Sequence, residues 1–137
     1  MKYMLLMQFS ETTTDIPPIS TWSADEVQAH IAFMKAADKK LAESGELVEA
    51  QGLAAPDTAK IVRAHGGGPP RITEAPFPDT REFLAGFWIV DCAGPDRAVE
   101  IAAFLSTAPG PGGAPLNMPI EVRQTMSAPT QEGDAPR

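Results

Sequence analysis

Few side chains in this sequence are equipped for chemistry, and they sit on separate segments. His30 leads. It lies three residues after Val27 and four before Met34, so on a helix it borders an apolar stripe, with Glu26 one turn earlier. Imidazole is the side chain that ordinarily titrates nearest neutral pH, so a half-buried one beside a carboxylate can act as a general acid or base. The alternative is a boundary histidine that only packs. His65 abuts Gly66–Gly68 and reads as an exposed turn residue. Two histidines without ligand spacing and a single cysteine provide no metal set, so no metal or cofactor is expected. Cys92, just after Ile89-Val90-Asp91, reads as an inert structural thiol, and one cysteine alone excludes an intramolecular disulfide.

Polar groups with a possible binding role lie elsewhere. In "IEVRQ", Glu121 and Arg123 share one face of a strand while Ile120 and Val122 share the other. A charge facing a buried space needs a partner or a ligand, which leaves a dimer salt bridge and a ligand contact both open for this pair. Gln51 ends another strand and is a similar candidate. The stretch "TEAPFPDTREFLAGFW", Thr73 to Trp88, gathers Glu74, Asp79, Arg81 and Glu82 ahead of an apolar run. Asp79 there is a candidate ligand contact, although Asp, Thr and Pro are also what a tight turn uses. "GGGPP" does not read as a phosphate loop: no helix N-terminus follows it, and Pro69 and Pro70 lack N–H donors. A Ser-His-Asp order, a P-loop and a dinucleotide fingerprint are all missing.

The elements that must position these groups follow from pattern. Lys2 to Phe9 is apolar on both alternating sets and predicts a strand covered on both faces. Ser23 with Glu26 forms a capping box that opens a helix, with Val27, Ile31, Met34 and Leu41 expected inward and Gly45 as its stop. Leu47 to Gln51 is a strand. Lys60 to His65 and Arg71 to Glu74 form a partly exposed hairpin. Phe83 to Asp91 is a second strand apolar on both sides. Gly94-Pro95-Asp96 starts a second helix with Ala98, Ile101, Ala102 and Leu105 inward. After a Gly/Pro-rich loop, Ile120 to Gln124 is the last strand, and residues 127–137 form a polar, flexible tail. Without the hairpin the order is βαββαβ, a ferredoxin-like α+β fold with both helices on one face of an antiparallel sheet. Two strands apolar on both faces then leave one sheet face uncovered, and a homodimer packed sheet to sheet would cover it.

Composition narrows the partners. The chain has 137 residues, 43% of them hydrophobic, and a net charge of −7. That is enough for one core, and it disfavours nucleic acid and anionic membrane surfaces, which select basic patches. No apolar run approaches membrane-spanning length and no signal peptide is visible, so a cytoplasmic protein is expected.

The segment "TEAPFPDTREFLAGFWIVD" resembles the signature T-D-G-P-F-x-E-T-K-E-x-L-G-G-F-x-x-I-D of the DGPF branch of the YCII-related proteins. "KYMLLMQ", "AHIAFMKAADKKLAESGELVEAQGL", "AKIVRA" and "APGPGGAPLNMPIEVRQTM" resemble other segments of that branch in the same order, so the likeness covers residues 1–126. The resemblance implies a ferredoxin-like domain over those residues that dimerises as an α+β barrel. It implies less about activity, because most members have none assigned. One branch is associated with lyase-type chemistry using a His and an Asp, and His30 resembles the family's histidine in position. Some DGPF-type members are linked to sigma factors of the extracytoplasmic-function kind. Two functions follow as expectations. One is a lyase- or isomerase-type enzyme acting on an unknown small molecule through His30. The other is a non-catalytic ligand-binding or regulatory protein with a sigma-factor link. The signature Asp-Gly is Glu74-Ala75 here, and E-T-K-E is Asp79-Thr80-Arg81-Glu82. A misplacement of about 1 Å can cost roughly 10²-fold in rate. Changed carboxylate lengths therefore point to structural or loosely binding roles at 74 and 79.

Overall fold

The computed structural model describes residues 1–10, 16–74 and 82–126. Strand β1 is Lys2–Ser10, helix α1 Ala24–Glu43, β2 Leu47–Gly52, β3 Lys60–His65, β4 Gly68–Glu74, β5 Glu82–Asp91, α2 Pro95–Ser106 and β6 Ile120–Gln124. Local chemistry sets the helix ends. Ser23 Oγ accepts from the Glu26 N–H while Glu26 Oε1 accepts from the Ser23 N–H, which is the capping box expected of this spacing. Gly45, at φ +79°, takes the left-handed position that ends α1. Pro95 opens α2 after Gly94.

Four strands form one antiparallel sheet in the order β2-β5-β1-β6, and β3–β4 is a separate hairpin inserted between β2 and β5. This is the ferredoxin-like α+β arrangement expected from the element order. The helix-facing register places Leu5 opposite Trp88 and Val122, and Tyr3 opposite Val90. Ala98, Ile101, Ala102 and Leu105 of α2 bury against that face, as their spacing predicts. Fully burying side chains such as Leu5, Val90 and Leu105 stabilises the fold by about 1.5–3 kcal/mol each.

Helix α1 departs from its expected stripe. Ile31 is 45% exposed, whereas Ala37 and Leu41 are buried and Phe33 and Met34 pack partly on the core. The small Ala37 lets the helix approach the sheet. That rotation turns Ile31 outward and brings His30 inward.

The other sheet face carries Met4, Leu6, Phe87 and Ile89 at its centre, by register, all half-buried. The hairpin packs least: every residue of β3 and β4 is exposed, more than the partial exposure expected. Strand β4 also starts earlier than the pattern indicated, taking in Pro69 and Pro70. A two-stranded ribbon has free edges on which a missing N–H costs nothing.

Candidate functional site

Beneath α1 lies a cavity of about 720 Å³. Helix α1 lines it with His30, Met34 and Asp38, which recur every fourth residue on one face. The sheet contributes Phe9, Phe83, Gly86 and Trp88, the chain before α1 contributes Trp22, and the loop after α2 contributes Leu116 and Met118. In that loop Asn117, at φ +53°, takes a left-handed turn between two buried neighbours, Leu116 and Met118. Asn tolerates this conformation better than most residues. Phe9 and Phe83, paired across β1 and β5, stack tilted at 5.2 Å between centroids. The enclosure is mainly apolar and aromatic, with a few polar groups, which is the usual make-up of a small-molecule site.

His30 is held in one orientation. Its Nδ1 lies 3.0 Å from the Pro109 carbonyl oxygen, and a carbonyl only accepts, so Nδ1 carries the proton. In the neutral ring Nε2 then keeps its lone pair, and it has no protein partner among the described residues. The Trp22 ring meets the imidazole edge-on at 5.6 Å, and Trp22 is itself fixed by donating Nε1–H to the Pro17 carbonyl at 2.9 Å.

Glu26 does not pair with His30. Its Oε1 accepts from the Ser23 N–H, and its Oε2 accepts from the Gly112 N–H at 2.6 Å. The Ser23 N–H first and the Gly112 N–H second hold its carboxyl below the usual glutamate range. Glu26 thus ties the loop carrying Pro109 to the first turn of α1, and acts on His30 by keeping the Pro109 carbonyl in place.

Asp38 is the site residue that sequence reasoning missed. Its Oδ1 accepts the indole N–H of Trp88 at 3.0 Å, a contact between residues 50 positions apart. The available signal was its place two turns after His30 on the same helix face.

The other expected site residues scatter. Gln51 borders the cavity at β2, but its pairing with Phe87 puts its side chain on the other sheet face. Glu121 and Arg123 lie on the opposite sheet face, across from Leu6 and Met4, with Arg123 Nε 3.8 Å from Glu121 Oε2. Ile120 and Val122 pack toward the core, as parity requires. Asp79 lies outside the described residues. Among the described residues no three His, Cys, Asp or Glu side chains group closely enough to hold a metal ion. Among them, too, no helix is long and apolar enough to cross a membrane.

Comparison with known proteins identifies a family. The YCII-related domain matches residues 1–110. A protein of Rhizobium meliloti (strain 1021), described as uncharacterised, is 33% identical over 108 residues, covering 79% of this chain and 82% of its own. The chain belongs to the YCII-related family.

Proposed function

We propose that this YCII-related protein acts on a small, largely apolar molecule by proton transfer at Nε2 of His30, in a reaction of the lyase or isomerase type. The carrying observation is the bond from His30 Nδ1 to the Pro109 carbonyl, which fixes the tautomer and leaves a basic nitrogen on the wall of an apolar cavity. A positioned imidazole typically contributes 10²–10⁴-fold to a proton transfer. One base can remove a proton from a carbon and return it to another atom of the same molecule, so the reaction needs no redox partner. Apolar walls exclude water and strengthen each electrostatic contact inside. A second copy of the chain, packed on the open sheet face, completes the reading.

The test uses carbon-bound hydrogen. Cyclic ketones of cavity size are incubated with the protein in D2O, and proton NMR follows loss of the signal next to the carbonyl. Exchange catalysed by the wild type and abolished in His30→Gln supports proton transfer. Equal exchange by both, or none above buffer, overturns it.

A second reading keeps the cavity and drops the chemistry: a ligand-binding or regulatory protein with a sigma-factor link. It is favoured by the separation of the two strongest polar groups. Eight helical residues put His30 and Asp38 about 12 Å apart along the axis, too far to work on one proton.

A further inference from the structure

We propose that the Asp38 end of the cavity recognises a positively charged, hydrogen-bond-donating group, a primary ammonium on an elongated apolar body. This rests on the cavity being the ligand site and deepens that reading by naming the ligand's polar end.

Both polar groups that α1 turns into the cavity are acceptors. Neutral His30 donates its one ring proton to Pro109 and keeps a lone pair on Nε2. Asp38 receives the Trp88 N–H on Oδ1, which fixes the carboxylate, and its Oδ2 has no protein partner among the described residues. A ligand that satisfies this end must bring donors.

Charge narrows the class. Asp38 and Asp57 line the cavity, and no Lys or Arg lines it among the described residues. The cations that follow Asp38 on α1 are engaged elsewhere: Lys39 Nζ lies 4.0 Å from Glu43, and Lys40 Nζ sits 5.2 Å from the Phe104 ring centroid. A ligand that covers Asp38 strips water from a carboxylate that lines the cavity without a Lys or Arg among the described lining residues. That loss is offset by a cation and left standing by a neutral or anionic group. The surrounding aromatic rings favour the same charge, because their faces are negative. Met34, midway between His30 and Asp38, and the paired Phe9 and Phe83 suit an apolar body lying along the helix, with its ammonium at Asp38 and its far end near His30.

Three probes of one shape and different heads make the test: phenylbutylamine, phenylbutanol and phenylbutanoate, titrated by calorimetry into the full chain. The amine should bind about tenfold or more tightly than the alcohol, the scale of a charge-assisted hydrogen bond. The carboxylate should bind weakest. Asp38→Asn keeps an acceptor for Trp88, so the fold holds by circular dichroism. In that variant amine affinity should fall about tenfold toward that of the alcohol, whose own affinity stays. The assignment is overturned if the carboxylate matches the amine, if Asp38→Asn leaves amine binding intact, or if none of the three binds at millimolar concentration. A wild type that prefers the amine yet exchanges no carbon-bound proton retains this assignment and loses the proton-transfer reading. The opposite pair of results does the reverse.

Discussion

His30 Nδ1 donates to the carbonyl oxygen of Pro109 at 3.0 Å, across 79 positions of chain. The contact joins α1 to the loop after α2 and sets which ring nitrogen faces a ligand. His30→Ala should leave that carbonyl unpaired and destabilise the fold by about 1–2 kcal/mol. Urea denaturation of the two proteins measures this. Nitrogen NMR of the wild type should show the neutral ring protonated at Nδ1. A ring protonated at Nε2 would remove the basic atom on which the proposed chemistry rests.

Trp88 joins packing to polarity in one side chain. It is 6% exposed, and its indole N–H goes to Asp38. Trp88→Phe removes the donor and part of the volume, and should cost about 2–3 kcal/mol from the lost bond and the gap together. Asp38→Asn should cost under about 1 kcal/mol, because the amide oxygen still accepts. A reversed order of the two in urea melts would mean that the hydrogen bond contributes little.

Gly86 lies where β2 closes on β5. A Cβ there would lie 2.9 Å from the Gln51 carbonyl oxygen and 3.3 Å from Gly52 Cα, both backbone atoms with little room to yield. Gly86→Ala should push β2 away, cost about 1–3 kcal/mol and loosen the cavity wall. Hydrogen exchange should speed up in β2 and leave β6 unchanged.

Arg97 forks onto Glu46, Nε to Oε2 and Nη2 to Oε1, each at 2.9 Å. This ties α2 to the turn between α1 and β2. The Arg97 hydrogen bonds, then the Ser44 hydroxyl, hold the Glu46 carboxyl below its ordinary 4.5. A carboxyl depressed in the fold contributes stability that is complete above that ordinary value and is lost as pH falls through the folded one. Arg97 is 40% exposed on its side chain, so solvent screening keeps the contribution modest. Arg97→Ala should therefore lower stability by about 1 kcal/mol at neutral pH, and by less as the pH drops below 4.5. An undiminished gap at low pH would show that the loss comes from packing.

Local chemistry made much of the fold readable. Ser23 and Glu26 announced the start of α1, Gly45 its end, and the parity of Ile120 and Val122 placed Glu121 and Arg123 on the far face. The site was less readable because its bonds are long-range. Nothing in the side chain of Pro109 marks its carbonyl as a histidine partner, and Asp38 and Trp88 meet only once α1 lies on the sheet. The misplacement of Ile31 has the same origin: periodicity finds an apolar stripe, but Ala37 at the contact decides how the helix rolls.

The open sheet face predicts the assembly. Met4, Leu6, Phe87 and Ile89 form its apolar centre, and register places Glu121 and Arg123 at the β6 edge and Glu49 and Gln51 at the β2 edge. A two-fold axis that sets β6 of one copy beside β2 of its partner brings Arg123 toward the partner's Glu49, so the face is complementary to itself in charge as well as apolar character. The β3–β4 hairpin needs cover too. Val62 and Ile72 pair across it, 58% and 54% exposed, and a two-stranded ribbon alone in water is marginal. The wild type should sediment as a dimer at micromolar concentration, and Leu6→Glu, which puts a charge at the centre of the face, should sediment as a folded monomer. Ile72→Glu should raise the dimer dissociation constant about tenfold, if the hairpin packs on the second copy. A monomeric wild type would sink the dimer. A Leu6→Glu protein that stays dimeric would move the interface off the sheet, and leave the apolar face to a different partner.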